Sequence, residues 1–341
     1  MVGNIYSLEN LLLRNYDGLK EPVDCYRAIS EYFESDDFFS LNNFNFCMNM
    51  GRVTKFLLNS SEYDQIVLEN MDLPKLDVEK LYLFILNGIE NLKFETMEFM
   101  DEKRVGRKQA YLNGYAAAFS KCIYKNLDEN SDDDELKLQW VKKWGEHEEK
   151  SAKFSEAFDL LSFSIYAYIG LGDSLRAEYD ITGDINKLSG AYYYRSKYAK
   201  KMMKQNSIHA ACTYSFAASD AYDEFVAKGE QNFDILEVAY KCELEALNLF
   251  YVEGRIKKVA ISQLFLGDYA YILYNLKVDD SWRSNAIFAY YGYINYFETH
   301  SDGRNDVALE RVKKKYNELL MDVFEQNVFH DLPVDNHAIR I

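Results

Sequence analysis

The chain has 341 residues, of which 48% are hydrophobic and 28% are charged, a composition that supports a sizeable buried core and argues against disorder. With only 3 prolines and 16 glycines, turn residues are too few for an all-β sandwich or barrel, so helices are expected. The formal net charge of -16 would repel a phosphate backbone, and we expect no nucleic-acid binding.

The first part of the chain, residues 1–102, is expected to be mostly helical but irregular. Its predicted helical segments lie near residues 22–34, 44–58 and 76–97, and their periodicity differs from that of the later helices. No Gly-, Ser- or Pro-rich linker separates this part from the rest. We therefore predict an amino-terminal lobe that packs on the remainder of one elongated domain, residues 1–341.

Between residues 103 and 325, apolar and small residues recur at spacings of three and four, which is typical of long helix hairpins. The small residues of successive first helices are Ala117, Gly172, Ala218 and Gly267, and those of successive second helices are Ala191, Ala239 and Ala289. Small residues at one register let neighbouring helices approach closely, as in tetratricopeptide-type (TPR) solenoids. The sequence therefore predicts an all-α fold of TPR-like hairpins that stack into a curved solenoid.

The helix from Asp184 to about Gln205 carries the predicted partner site. At 100° per residue, a narrow apolar stripe contains Ile185, Leu188 and Tyr192. A separate face is expected to pack into the core: Ala191, Tyr194, Tyr198 and Met202. A third stripe is basic and contains Lys197, Lys201 and Lys204. An apolar stripe beside a basic stripe is suited to an acidic amphipathic helix; the alternative is that the neighbouring hairpin covers the apolar stripe and the lysines are only solvated.

The tail of the chain, residues 326–341, contains the apolar residues Phe329 and Leu332 directly before Pro333, which stiffens the backbone. We expect this tail to pack back on the solenoid rather than hang free. The amino terminus has no signal-peptide pattern, and no apolar run approaches the length of a membrane span. A cytoplasmic protein is therefore expected.

No enzyme, metal or cofactor site is expected. The five cysteines form no C-x-x-C pair, and the five histidines form no i, i+4 pair. Neither a phosphate-binding glycine loop nor a G-x-S-x-G nucleophile motif occurs. The segment Glu146-His147-Glu148-Glu149 is predicted to be a solvated helix face, because successive helical positions point about 100° apart.

Three segments, in order, resemble the Bro domain, the boomerang-shaped helical module of ALIX-type ESCRT-associated proteins. Residues 111–120, YLNGYAAAFS, are similar to the family's "LFN-x-AA" helix. Residues 169–173, IGLGD, followed by residues 184–193, DINKLSGAYY, are similar to its "LAQAQE…F" helix and "KLA-x-QA-x-x-Y" segment. Residues 327–334, NVFHDLPV, are similar to the "IYH-D/E-x-VP" segment with which Bro domains end. The resemblance covers about residues 105–335.

This resemblance implies a single Bro-like domain that acts as an adaptor in endosomal sorting. Bro domains bind the carboxy-terminal amphipathic helix of ESCRT-III subunits of the charged multivesicular body type. The equivalent positions in this sequence are Ile185 and Leu188, with Tyr179 on the preceding helix. Tyr192, Lys197 and Lys201 complete the predicted site.

The resemblance also implies recruitment from the cytoplasm to endosomal membranes, with at most peripheral membrane contact. The alternative function is that of a generic TPR-like scaffold that binds another peptide without any ESCRT role. The sequence leaves the oligomeric state open.

Overall fold

The computed structural model describes residues 79, 82–83, 85–86, 89, 102–277, 279–300 and 306–327. Within these ranges every regular element is an α-helix, which confirms the all-α prediction. Most of the predicted amino-terminal lobe and the tail beyond residue 327 lie outside the described residues. The packing of that lobe and of that tail therefore stays a prediction.

Nine helices follow one another from residue 102 onward in the described part of the chain. They are α1 (Glu102–Asn130), α2 (Asp134–Ala157), α3 (Leu161–Thr182), α4 (Asn186–Met202), α5 (Ser207–Ala227), α6 (Phe233–Val252), α7 (Ile256–Lys277), α8 (Asp280–Thr299) and α9 (Asp306–Asn327). Helix α2 packs against α1 and α3, and each of the helices from α5 to α8 packs against the next. This packing in sequence order is that of a helical solenoid. None of these described helices is long and apolar enough to cross a membrane.

The chain divides into two compact units, Met1–Tyr194 (unit 1) and Arg195–Ile341 (unit 2), with the boundary inside α4. In unit 1, α2 begins at a cap where the Asp133 carboxylate accepts the backbone N–H of Leu136 at 2.9 Å, which satisfies one of the free amides of the first turn. The core of unit 1 is built from apolar side chains of all three packed helices, among them Leu112, Phe119, Val141, Trp144, Ile165 and Leu171.

In unit 2, the predicted small-residue register lies at the helix contacts. Ala218 and Ala239 are fully buried, and Gly267 and Ala289 are buried as well. A Cβ atom added at Gly267 would lie 2.5 Å from the ring of Tyr290 on α8. Helices α7 and α8 therefore approach each other so closely that only glycine fits at this crossing.

The last helix completes the apolar core of unit 2. Val312 and Leu319 of α9 are buried together with Tyr293 and Phe297 of α8. These α9 residues are seven positions apart, two turns of one helix face. The opposite side of α9 is free to carry the charged residues that the sequence places there.

Candidate partner-binding surface

The predicted anchor stripe on α4 is not an exposed surface. Leu188 is fully buried, so it offers no surface to a partner, contrary to the prediction. Ala191, Tyr198 and Met202 are buried as predicted for the core face, and Leu188 lies only about 60° from Ala191 around the helix. Because a core-facing stripe spans about 100° or more, Leu188 belongs to this same buried stripe.

The other predicted apolar contacts are half-buried. Ile185 lies in the turn before α4, where its carbonyl accepts the N–H of Leu188 at 3.1 Å. Tyr179 lies near the end of α3, with the guanidinium carbon of Arg176 at 5.5 Å from the centre of its ring. Tyr192 lies inside α4 and is half-buried too. These three residues keep partial access to solvent, and their role in binding stays a prediction.

Sequence reasoning missed the exposed aromatic residue of α4, Tyr193, whose side chain is 56% exposed. Tyr193 takes the position two residues after the small residue of its helix, and Lys241 and Tyr291 take the same position in α6 and α8. All three are exposed. The repeat alignment thus contained the signal, because equivalent positions of a repeat share one environment.

The predicted basic stripe of α4 differs in accessibility along its length. Lys197 and Lys201 are half-buried, whereas Lys200 and Lys204 are exposed. The two lysines that the sequence favoured as partner contacts are therefore the less accessible ones. Their contact with a partner stays a prediction.

Unit 2 presents a different apolar surface, on α5 and α7. Phe216 is 56% exposed and Phe265 is 42% exposed, and each stands two residues before the small residue of its helix. The rings of Tyr222 and Tyr269 join the two helices with their centroids 5.3 Å apart, and Phe265 stacks on Tyr269 at 6.5 Å. We call these four residues the aromatic face.

Cations at the aromatic face are held in place by carboxylates. The guanidinium carbon of Arg195 lies 5.6 Å from the centre of the Phe216 ring, while its Nη1 donates to the buried Asp220 carboxylate at 2.6 Å. One turn along α7 from Phe265, Asp268 accepts a hydrogen bond from Lys315 Nζ of α9 at 2.7 Å. The exposed rings of the face are Phe216 and Phe265, since Tyr269 is buried. Ion pairs with carboxylates restrict Arg195 and Lys315 without adding net positive charge.

A carboxyl group is buried among the three helices α5, α6 and α7. Glu243 accepts a hydrogen bond from the Ser215 hydroxyl at 3.2 Å and is also hydrogen-bonded to the side chain of Ser262. Burial raises the pKa of Glu243 to about 7, although both serine hydrogen bonds act to lower it. Near neutral pH this carboxyl is therefore partly protonated inside unit 2.

The predicted solvated face at residues 146–149 is wrong for His147, which is buried. Asn113 donates its amide to the Gln109 carbonyl at 2.8 Å, so its Oδ1 faces His147 Nδ1, 3.0 Å away, as an acceptor. Nδ1 therefore carries the proton, and Nε2 accepts from the Tyr82 hydroxyl at 3.0 Å. Burial, followed by the charges of Lys150 and Lys143, lowers the pKa of His147 to about 4. Tyr82 precedes the hairpins in sequence, and nothing local to residues 146–149 reveals that it covers His147.

No group of three metal-ligating side chains lies together within the described ranges. Comparison with known proteins finds no family model that matches the chain and no curated protein with significant similarity to it. The resemblance to Bro domains therefore stays a prediction that depends on the sequence segments.

Proposed function

We propose that this protein is an adaptor that binds an amphipathic helix of a partner through the aromatic face of unit 2. The observation that carries the proposal is the exposure of Phe216 and Phe265 at equivalent positions of α5 and α7. Large apolar side chains exposed at equivalent positions of repeated helices are typical of surfaces that receive the apolar side of a helix. Phenylalanine has few rotamers, so each ring loses little entropy when it is buried by a partner.

The cations near the face are paired with carboxylates, so apolar contact supplies most of the proposed binding. Arg195 lies beside Phe216, and Lys315 lies near the Tyr271 ring, with 5.0 Å from Nζ to the ring centre. Because Arg195 is paired with Asp220 and Lys315 is paired with Asp268, neither adds net positive charge, and the proposed partner helix is held chiefly by its apolar side.

The partner that we propose is the carboxy-terminal helix of an ESCRT-III subunit of the charged multivesicular body type. The three segments that resemble Bro domains support this choice, as does the packing of the helices in sequence order. In this proposal the hairpins form a TPR-like, boomerang-shaped solenoid, and the protein moves from the cytoplasm to endosomal membranes. Tyr179, Ile185 and Tyr192 in unit 1, and Lys197 and Lys201 in unit 2, are additional candidate contacts.

The test measures binding of a fluorescently labelled ESCRT-III carboxy-terminal helix by anisotropy. The double variant Phe216→Ala/Phe265→Ala is expected to weaken binding by at least about 2 kcal/mol, or about thirtyfold in Kd, because it removes both anchors. The double variant Phe288→Ala/Tyr291→Ala is the matched control, since it removes two equally exposed aromatic residues from α8. The control variant should bind as the unaltered protein does.

Two outcomes would redirect the proposal. If the ESCRT-III helix does not bind but an unrelated acidic amphipathic helix binds through Phe216 and Phe265, the protein is a TPR-like scaffold without an ESCRT role. If the Phe216→Ala/Phe265→Ala variant binds either helix as tightly as the unaltered protein, the aromatic face is not the binding surface.

A further inference from the structure

A continuous exposed segment lies where α6 ends and α7 begins. All eight residues from Tyr251 to Lys258 are exposed, and two of them are aliphatic: Val252 is 75% exposed and Ile256 is 51% exposed. The turn between them is tight, because Gly254 takes a left-handed backbone with φ of 65° and the N–H of Arg255 bonds back to the Phe250 carbonyl at 2.9 Å. The turn therefore holds Val252 and Ile256 outward at the end of the hairpin.

The turn between α4 and α5 adds to this surface. The Ser207 hydroxyl at the start of α5 donates to the Glu253 carboxylate, which joins the two turns. Met203 is exposed and its sulfur lies 3.9 Å from the Tyr214 hydroxyl. We call the exposed residues of the two turns the tip surface: Met203, Lys204, Tyr251, Val252, Arg255, Ile256, Lys257 and Lys258.

The tip surface is positively charged although the chain as a whole is strongly acidic. It contains four basic residues. Two more lysines, Lys200 and Lys201, lie just before it in the last turn of α4. The carboxylate within the two turns, Glu253, accepts a hydrogen bond from the Ser207 hydroxyl and keeps its charge, so four basic residues outnumber one acidic residue there. Glu245 is exposed further along α6. In the described part of unit 2, Lys228 and Lys277 at the other end of these helices are paired with Glu224 and Glu237.

We propose that the tip surface binds anionic membrane surfaces, with Val252 and Ile256 entering the headgroup layer while the surrounding lysine and arginine side chains contact acidic lipid headgroups. Lysine and arginine near an anionic bilayer each add about fivefold to the partition coefficient, and stable attachment needs an apolar contact as well. Both kinds of contact are present in one short segment. A nucleic acid would use the charges but gain nothing from protruding aliphatic side chains, so the observations favour a membrane.

This proposal does not depend on the aromatic face, because it concerns different residues and a different kind of partner. Loss of helix binding in the Phe216→Ala/Phe265→Ala variant would leave membrane binding unchanged, and loss of membrane binding in the variants below would leave helix binding unchanged.

The test is cosedimentation of the full chain with vesicles of phosphatidylcholine alone, or of phosphatidylcholine with about a third phosphatidylserine. We expect binding to the anionic vesicles only, with release at high salt because screening weakens the charge contacts. The double variant Lys257→Glu/Lys258→Glu should bind at least about tenfold more weakly. The double variant Val252→Ser/Ile256→Ser should lose binding several-fold even at low salt.

The matched control is Lys125→Glu/Lys142→Glu, which makes the same change in charge at two exposed residues of unit 1 and should bind as the unaltered protein does. Circular dichroism checks that each variant is folded.

Absence of binding to anionic vesicles at low salt, or equal binding by folded tip variants, would overturn the proposal. Binding to a DNA duplex that the Val252→Ser/Ile256→Ser change leaves intact would show a polyanion site instead. A dimer that this change converts to a monomer would show that a second copy covers the tip surface.

Discussion

Unit 1 and unit 2 each bury an ionisable side chain between packed helices, but the two groups are of opposite type. Unit 1 buries a base, His147, and unit 2 buries an acid, Glu243. Burial disfavours the charged form of both groups, so it lowers the pKa of His147 to about 4 and raises the pKa of Glu243 to about 7. The same physical effect therefore shifts the pKa values of these two side chains in opposite directions.

The hydrogen bonds around the two groups differ in what they favour. The Tyr82 hydroxyl and the Asn113 amide oxygen match the neutral imidazole, which accepts at Nε2 and donates at Nδ1. Burial and the charges of Lys150 and Lys143 oppose protonation of His147, whereas the Tyr82 oxygen could still accept from a protonated Nε2, because a phenol both donates and accepts. The hydroxyls of Ser215 and Ser262 can donate to a charged Glu243 carboxylate. Unit 1 thus opposes the charge of His147 by burial and by nearby lysines, and unit 2 opposes the charge of Glu243 by burial alone.

The largest effect on stability is expected from a new carboxyl group placed at the buried position of Leu188. Leu188 is fully buried, so Leu188→Asp should lower the free energy of unfolding by at least about 4 kcal/mol or prevent folding. The measurement is urea denaturation followed by circular dichroism. The control is Tyr193→Asp, which places the same charge at an exposed position of α4 and, since it loses only an edge contact with Tyr194, should cost no more than about 1.5 kcal/mol. Equal stability of the two variants would contradict the burial of Leu188.

The next largest effect concerns acid and His147. The pKa in the folded state, about 4, lies below the ordinary value of 6.5, so the stabilisation from a neutral His147 is fully present above pH 6.5. It is lost as the pH falls toward 4, because the unfolded chain binds the proton more readily. The total loss is about 3 kcal/mol.

Tryptophan fluorescence during urea denaturation suits this measurement, since Trp140 lies next to Tyr82, 5.1 Å between ring centroids. His147→Gln removes the titrating group, so its stability should depend less on pH between 6.5 and 4 than that of the unaltered protein. An unchanged slope in the variant would show that other groups cause the acid sensitivity.

Sequence reasoning succeeded where a repeat fixes the environment. The hairpin pattern identified the small residues that are buried at helix contacts, such as Ala218, Ala239 and Gly267, because a close crossing leaves no room for a larger side chain. The all-helical fold was predicted from the same periodicity and from the scarcity of turn residues.

Sequence reasoning failed where the neighbours of a helix decide which residues are covered. Leu188 and Ala191 lie on one face of α4, and helical angles alone do not show how wide the buried stripe is. His147 sits between charged residues and reads as a surface position, yet Tyr82 from a distant part of the sequence covers it. Phe216 and Phe265 each stand two residues before a buried small residue. The repeat alignment could therefore have predicted that both are exposed.

The smallest effect is expected from neutralising the acid of unit 2 at Glu243. Its pKa in the folded state, about 7, lies above the ordinary value of 4.5, so the stabilisation from a protonated Glu243 is fully present below pH 4.5. It is lost as the pH rises through 7, because the unfolded chain ionises more readily.

Glu243→Gln keeps the shape of the side chain and cannot ionise, so it should stabilise the protein by about 1–2 kcal/mol at pH 8 and by almost nothing at pH 4. The gain is smaller than the loss at His147 because the new amide N–H₂ group needs acceptors of its own beside Ser215 and Ser262. Thermal unfolding followed by circular dichroism at both pH values measures the difference. The exposed residue Glu245 supplies the control, since Glu245→Gln should change stability by less than about 0.5 kcal/mol at either pH. If Glu243→Gln destabilised the protein more at pH 8 than at pH 4, the ionised carboxylate would be the form that unit 2 prefers, and the contrast between the two units would fail.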